Sequence, residues 1–392
     1  MKVFLSLFLA TVFLSSNIFA KPLPPEILKP NKAFNQSYAN QDYKTALKHG
    51  KEAWKQAEKL LGDSKNTGDL AYNYGLLAMQ LGKYDEAIEP LTRSADLAVL
   101  AKEIGPLLRL EREVELASVL IATNKRTKAW KRLDAAREFA GANDIDDSVF
   151  SGELRVHQAR ISSDNANRAT KYSYNTLGSR INRDSKAANI QSKSAQFSRD
   201  ALAIFDENPD TTRATYRAVA YKLIGFSHER NKEWKQALLA YQEAMAIQKT
   251  YSTIEDRDYI TTIGRWINVR THFTHDIDMD EAKKQGLCEC WPYDNEGTIA
   301  AKPIKRVPPV MPRKATTSGF SIVRFDLDDE GNVVNPEILQ SWPVKMYDRA
   351  SLNSLKKWKY ETKIDGEEGA QRTGIVSTIK YILSDYYGGD PI

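Results

Sequence analysis

From Asn31 to Phe273 the chain carries only three prolines, Pro90, Pro106 and Pro209, and its apolar residues recur at helical spacing throughout. So long a helical stretch without a strand signal calls for a search for internal repeats. Placing the small residues in register reveals one. Tyr72-Asn-Tyr-Gly75-Leu-Leu-Ala78 is followed by Gly82-Lys-Tyr84-Asp-Glu-Ala87, then Leu91 and Ala95. The pattern returns as Tyr221-Lys-Leu-Ile-Gly225-Phe, then Trp234-Lys-Gln-Ala237, Tyr241 and Ala244. Partial copies are Asp42-Tyr43-Lys-Thr-Ala46 with Ala53, and Leu116-Ala117 with Leu120, Ala129, Leu133 and Ala136.

This spacing resembles the tetratricopeptide repeat, a pair of antiparallel helices about 34 residues long. Gly75 and Ala87, like Gly225 and Ala237, are then expected where two helices cross, since only small side chains allow that approach. Tyr84 and Trp234 fill the groove beside them. Ser151 to Asp206 departs from the consensus but still reads as helix, with Ala159, Ala166, Ala187, Ala195 and Ala201 as small contacts. About six or seven helical hairpins are expected between residues 31 and 275. An irregular α-domain is the plainer alternative. The resemblance implies a scaffold that binds an unnamed protein or peptide, because the concave face of such arrays varies.

At 392 residues the chain is long enough for more than one domain. A net charge of +5 over 56 basic and 51 acidic side chains is near balance, and no basic stripe with interleaved aromatics occurs. Nucleic acid is therefore not expected as a partner. Residues 1–20 read as a signal peptide: Lys2, an apolar run from Val3 to Leu14, and Ile18 and Ala20 placed for cleavage after Ala20. An uncleaved inner-membrane anchor from Val3 to Ala20 is the alternative, although a spanning helix needs ~20 apolar residues. With cleavage, the mature protein is expected outside the cytoplasm.

The two cysteines, Cys288 and Cys290, are too close for a disulfide framework. A strained local disulfide and a site shared with His272 and His275 both stay open, although Cys-x-Cys is tight for two ligands of one zinc. No metal site or cofactor is expected. No phosphate-binding loop, nucleophile elbow or zinc-protease helix is present, and His49, His157 and His228 stand alone on helices. A non-enzymatic protein is expected.

The C-terminal stretch changes period. Phe320 to Leu327 reads as a strand in which Val323, Phe325 and Leu327 share one face, and Asp328-Asp-Glu-Gly331 as a tight turn. A second strand follows from Asn332 to Leu339, with Pro336 pointing to an edge or a bulge. A helix from about Tyr347 to Lys357 and a last strand between Thr373 and Leu383 complete a three-stranded antiparallel sheet with one helix across it. The fold class is thus multidomain α plus α+β. The expected divisions are a leader (1–20), an extended segment (21–30), the helical repeats (31–275), a linker (276–302), the small α+β domain (303–386) and a tail (387–392).

That last domain resembles the C-terminal domain of TonB, the periplasmic energy transducer of Gram-negative bacteria. The resemblance rests on Met311-Pro312-Arg-Lys-Ala315, Gly319-Phe-Ser-Ile-Val323-Arg-Phe325-Asp-Leu327, Glu330-Gly331-Asn-Val333, Ser341-Trp-Pro343, Tyr347-Asp348-Arg-Ala350, Trp358-Lys-Tyr360 and Gly374-Ile-Val. It implies that a receptor segment, the TonB box, adds as a strand along the last strand of the sheet. The implied contact residues are Arg372, Thr373, Gly374, Ile375, Val376, Ser377, Thr378 and Lys380, with Thr316 and Thr317 in the loop before the first strand. Trp358 and Tyr360 read as core. Met311 departs from the family's tyrosine, and Glu361 to Gln371 is an acidic insertion. The leader lacks the histidine by which a complete transducer meets the ExbB–ExbD motor, and a helical array replaces the usual spacer. The reading is therefore an adaptor or accessory of TonB-dependent transport, with at most an indirect link to that motor. Two alternatives stay open: a scaffold unrelated to receptors, and an anchored transducer with an uncleaved leader.

Overall fold

The computed structural model describes residues 23–100, 105–171, 177–209, 213–252, 256–270, 301–315, 319–362 and 372–381. The leader, the His272–His275 and Cys288–Cys290 segments, Thr316 and Thr317, nearly all of the 276–302 linker and the 387–392 tail lie outside these residues. Two compact units form, Met1–Asp210 and Thr211–Ile392.

Among its described residues the first unit is all helix: α1 (Pro25–Ala39), α2 (Tyr43–Leu61), α3 (Lys65–Gln80), α4 (Tyr84–Leu100), α5 (Pro106–Ala122), α6 (Arg126–Ala142), α7 (Val149–Lys171) and α8 (Leu177–Glu207). Consecutive helices pack as hairpins, and α5 also packs on α3 and α7, which stacks one hairpin on the next. The expected crossing holds. A β-carbon on Gly75 would stand 2.6 Å from Leu91 Cγ on the partner helix, and Ala87 is fully buried. Arg112 on α5, 3% exposed, ties three helices together: its guanidinium donates to the Gly68 carbonyl at 2.9 Å, to Asp69 and to Ser94 Oγ. His157 is buried on α7, its Nε2 3.1 Å from Ser118 Oγ, and burial pushes its pKa down to about 3.

Two expectations change here. The 21–30 segment is not extended throughout, because α1 begins at Pro25. Proline suits the first helical position, where no N–H is needed, and Ile27, Pro30 and Phe34 form its buried stripe. The hairpins are also fewer than the six or seven expected. Residues 151–206 make one long hairpin of 23- and 31-residue helices, α7 and α8, so the described residues up to Arg270 hold five hairpins and one further helix.

The second unit begins with α9 (Ala214–Arg230), α10 (Trp234–Lys249) and α11 (Arg257–Arg270). The α9–α10 hairpin repeats the crossing seen in the first unit, with Gly225 against Tyr241 where Gly75 meets Leu91. Among the described residues, five strands and one helix follow: β1 (Pro303–Lys305), β2 (Gly319–Leu327), β3 (Val333–Trp342), α12 (Asp348–Leu355), β4 (Lys359–Tyr360) and β5 (Ile375–Tyr381). The main sheet is antiparallel in the order β3–β2–β5, and β1 and β4 form a separate two-stranded ladder. Gly331, at φ +80°, closes the β2–β3 turn, where Asp328 Oδ1 accepts the Asn332 N–H at 2.6 Å.

Both faces of this sheet are covered. Val323, Phe325, Leu327, Ile375, Ile379 and Tyr381 face α12 and share a core with Leu355, Trp358 and Tyr360. On the opposite face Phe320 and Ile322 join Leu238, Tyr241, Met245, Ile260, Ile263 and Trp266 of α10 and α11. Leu339, Trp342 and Val376 pack on that second cluster. The helices α9–α11, grouped by sequence with those upstream, thus share a compact unit with the sheet.

Candidate functional site: the β5 edge

Among the described residues β5 pairs with β2 alone, from Phe325 opposite Ile375 to Gly319 opposite Tyr381. Which backbone groups point outward follows from two bonds near the turn. The Asp328 N–H donates to the Asn332 carbonyl on the β3 side at 3.0 Å, and the Leu327 N–H donates to the Arg372 carbonyl on the β5 side at 2.7 Å. Antiparallel ladders alternate, so the odd-numbered residues of β2 bond to β5. On β5 the odd-numbered Ile375, Ser377 and Ile379 then bond back to β2. Val376, Thr378 and Lys380 direct their N–H and C=O groups away from it.

The opposite edge is less regular. Strand β3 shifts register twice against β2, Asn335 has a φ of +49°, and Pro336 lacks a donor. Bulges and proline are devices that blunt a strand edge. The proline thus falls at an edge and a bulge, as its sequence position implied.

The expected contact residues divide by role. Ile375 is buried in the α12 core and turns its backbone groups toward β2, so it is not placed to meet an added strand, whereas Val376 packs its side chain toward α10 and α11 and would meet one through backbone. Ser377 and Thr378 are half-buried, and Lys380 is exposed. Arg372 is engaged within the domain, donating to the Glu361 carbonyl at 3.1 Å and the Asp328 carbonyl at 2.5 Å. It ties the entry of β5 to the β2–β3 turn. Gly374 adopts a φ of +66°, which favours glycine, and precedes the first residue of β5. Thr373 is exposed beside it. Trp358 and Tyr360 are core, as read from sequence: the Trp358 indole N–H donates to the Val307 carbonyl at 3.0 Å and Tyr360 is buried.

One residue of this site carries no sequence signal. Asp326 Oδ1 accepts the Gly374 N–H at 2.8 Å, and Oδ2 accepts from Asn335 at 3.0 Å. The Asn335 amide and then the Gly374 N–H hold the Asp326 carboxyl below the usual aspartate range. A carboxyl depressed in the folded state contributes its stabilisation above its unfolded pKa of about 4, and loses it as pH falls through the folded value. The Gly374 amide resonance should therefore titrate in acid with a midpoint below the ordinary aspartate range. Asp326→Asn should remove that titration, and a flat Gly374 shift in the parent would contradict the assignment.

Residues 309–383 match the family model described as Gram-negative bacterial TonB protein C-terminal. Protein TonB of Klebsiella pneumoniae is 31% identical over 100 residues, covering 22% of this chain and 39% of that protein. Protein TonB of Pseudomonas aeruginosa is 32% identical over 68 residues, 17% of this chain and 20% of that protein. The chain thus spans about two-fifths or less of the curated relatives it matches. Among solved structures, the MamA protein aligns at 12% identity and a TM-score of 0.38, covering 58% of this chain and 96% of that one. BtubC from P. vanneervenii aligns at 13% identity and 0.42, covering 69% and 91%.

Proposed function

We propose that this protein is a non-enzymatic periplasmic adaptor, an accessory of TonB-dependent outer-membrane transport. It takes an extended segment of a receptor as an additional strand along β5. The observation that carries this reading is a regular strand edge, with no second partner strand among the described residues, inside the segment that matches the TonB C-terminal family. Backbone hydrogen bonds from Val376 and Thr378 supply the affinity, and the side chains flanking the edge supply modest specificity. By the family resemblance, Thr316 and Thr317 in the loop before β2 are assigned to the same receptor contact. The stacked hairpins of the first unit hold a second protein. The leader directs export, and any link to ExbB–ExbD is indirect. No helix among the described residues is long and apolar enough to cross a membrane.

The reading is tested by titrating synthetic TonB-box peptides into the full chain by calorimetry. Saturable one-to-one binding is expected. Folded protein that gives no heat with any such peptide would remove the receptor as partner.

A further inference from the structure

Residues 307–314 and eight residues between Val344 and Lys357 line an open cavity of about 730 Å³ that shares no residue with β5. One wall is the proline-rich run before β2, anchored where the Val307 carbonyl accepts from Trp358 and from Ser354 Oγ. Its prolines carry no N–H, so that wall offers no ladder to an incoming strand. The other wall is α12 with the loop that precedes it. Met311, Met346 and Ala350 pack onto the sheet core from the cavity side. Val310 and Val344 at its rim are 82% and 59% exposed, so apolar surface there has no cover among the described residues.

Charge identifies the occupant. Arg313, Lys314, Lys345, Arg349 and Lys357 line the cavity, and no lining residue is acidic. All five are exposed, and none forms an ion pair among the described residues. Five like charges around one concavity repel one another and focus a positive potential into it. A ligand that carried only charge would leave the valines wet, and one that was only apolar would leave the cations unmatched. Methionines at the floor adapt to varied apolar side chains. The geometry points to a docking site for an acidic, extended protein segment that inserts apolar side chains between Met311 and Met346 while its carboxylates meet the basic rim. This contact is separate from strand addition on β5.

The test is a fluorescence-anisotropy titration of the full chain with a labelled heptapeptide, Asp-Leu-Glu-Phe-Asp-Leu-Glu. Its companion carries asparagine and glutamine in place of the acids. Saturable binding of the acidic probe is expected, weaker by roughly tenfold for the companion and for the double variant Arg349→Glu, Lys357→Glu. Both arginine and lysine are exposed, so circular dichroism and Tm should match the parent. Val376→Pro should bind the probe as tightly as the parent, which separates this site from the sheet edge. Equal affinity of the double variant, equal affinity for the companion, or loss of binding in Val376→Pro would overturn the proposal. So would sedimentation with phosphatidylglycerol vesicles by a protein that ignores the peptide, because that outcome assigns the cavity to a lipid surface.

Discussion

A fragment cut to residues 303–386 should fail to fold as a cooperative monomer, whereas 213–386 should melt as one unit. The cut strips α10 and α11 from the face that holds Phe320, Ile322, Leu339, Trp342 and Val376. Full burial of one such side chain contributes ~1.5–3 kcal/mol. Partial loss over five of them reaches the order of 5–10 kcal/mol, comparable with the whole stability of a domain. The exposed face would also form an apolar patch, so the short fragment should self-associate. Thermal melts by circular dichroism and sedimentation velocity on the two fragments check this. A monomeric, cooperatively melting 303–386 would show that the sheet needs no helical cover.

A single substitution probes the same contact inside the full chain. Gly264 on α11 sits so close to the Trp342 ring that an added β-carbon would overlap it. In an exposed helix, alanine in place of glycine stabilises by roughly 1 kcal/mol. At position 264 the sign should reverse, with overpacking costing about 1–3 kcal/mol and lowering the Tm. A raised Tm for Gly264→Ala would contradict the contact.

These contacts show where the sequence was legible and where it was not. The crossings at Gly75 and Gly225 could be read because both partners of each lie within 16 residues and recur with the same spacing. The alternation of Val323, Phe325 and Leu327 gave one face of β2 directly. The other face was present as Phe320 and Ile322, apolar residues of opposite parity, but a second buried face does not say what covers it. Its cover, α11, lies about fifty residues upstream across a segment without regular signals, so no local pattern links Gly264 to Trp342. The β1–β4 ladder escaped for a different reason. Three residues beginning with proline and two following a tryptophan are too short to show a period. Asp326 was hidden because its partners, Gly374 and Asn335, are set by the fold rather than by spacing. The edge itself was legible only through family resemblance. The ladder then indicated which of its residues face outward.

If the backbone of β5 takes up a partner strand, Val376 is the position at which that pairing is most exposed to a single substitution. Its N–H points away from β2, so proline there should leave the β2–β5 ladder intact while removing one outward donor and crowding the incoming strand. Val376→Thr keeps the donor and serves as control. The measurement is the affinity of the full chain for a TonB-box peptide in parent, Val376→Thr and Val376→Pro, with the Tm of each recorded. The Kd should stay within a few-fold of parent for threonine and weaken by roughly 30-fold or more for proline, while both variants remain folded with a similarly lowered Tm, because each loses part of the Val376 packing on α10 and α11. Unchanged affinity in a folded Val376→Pro variant would contradict that pairing.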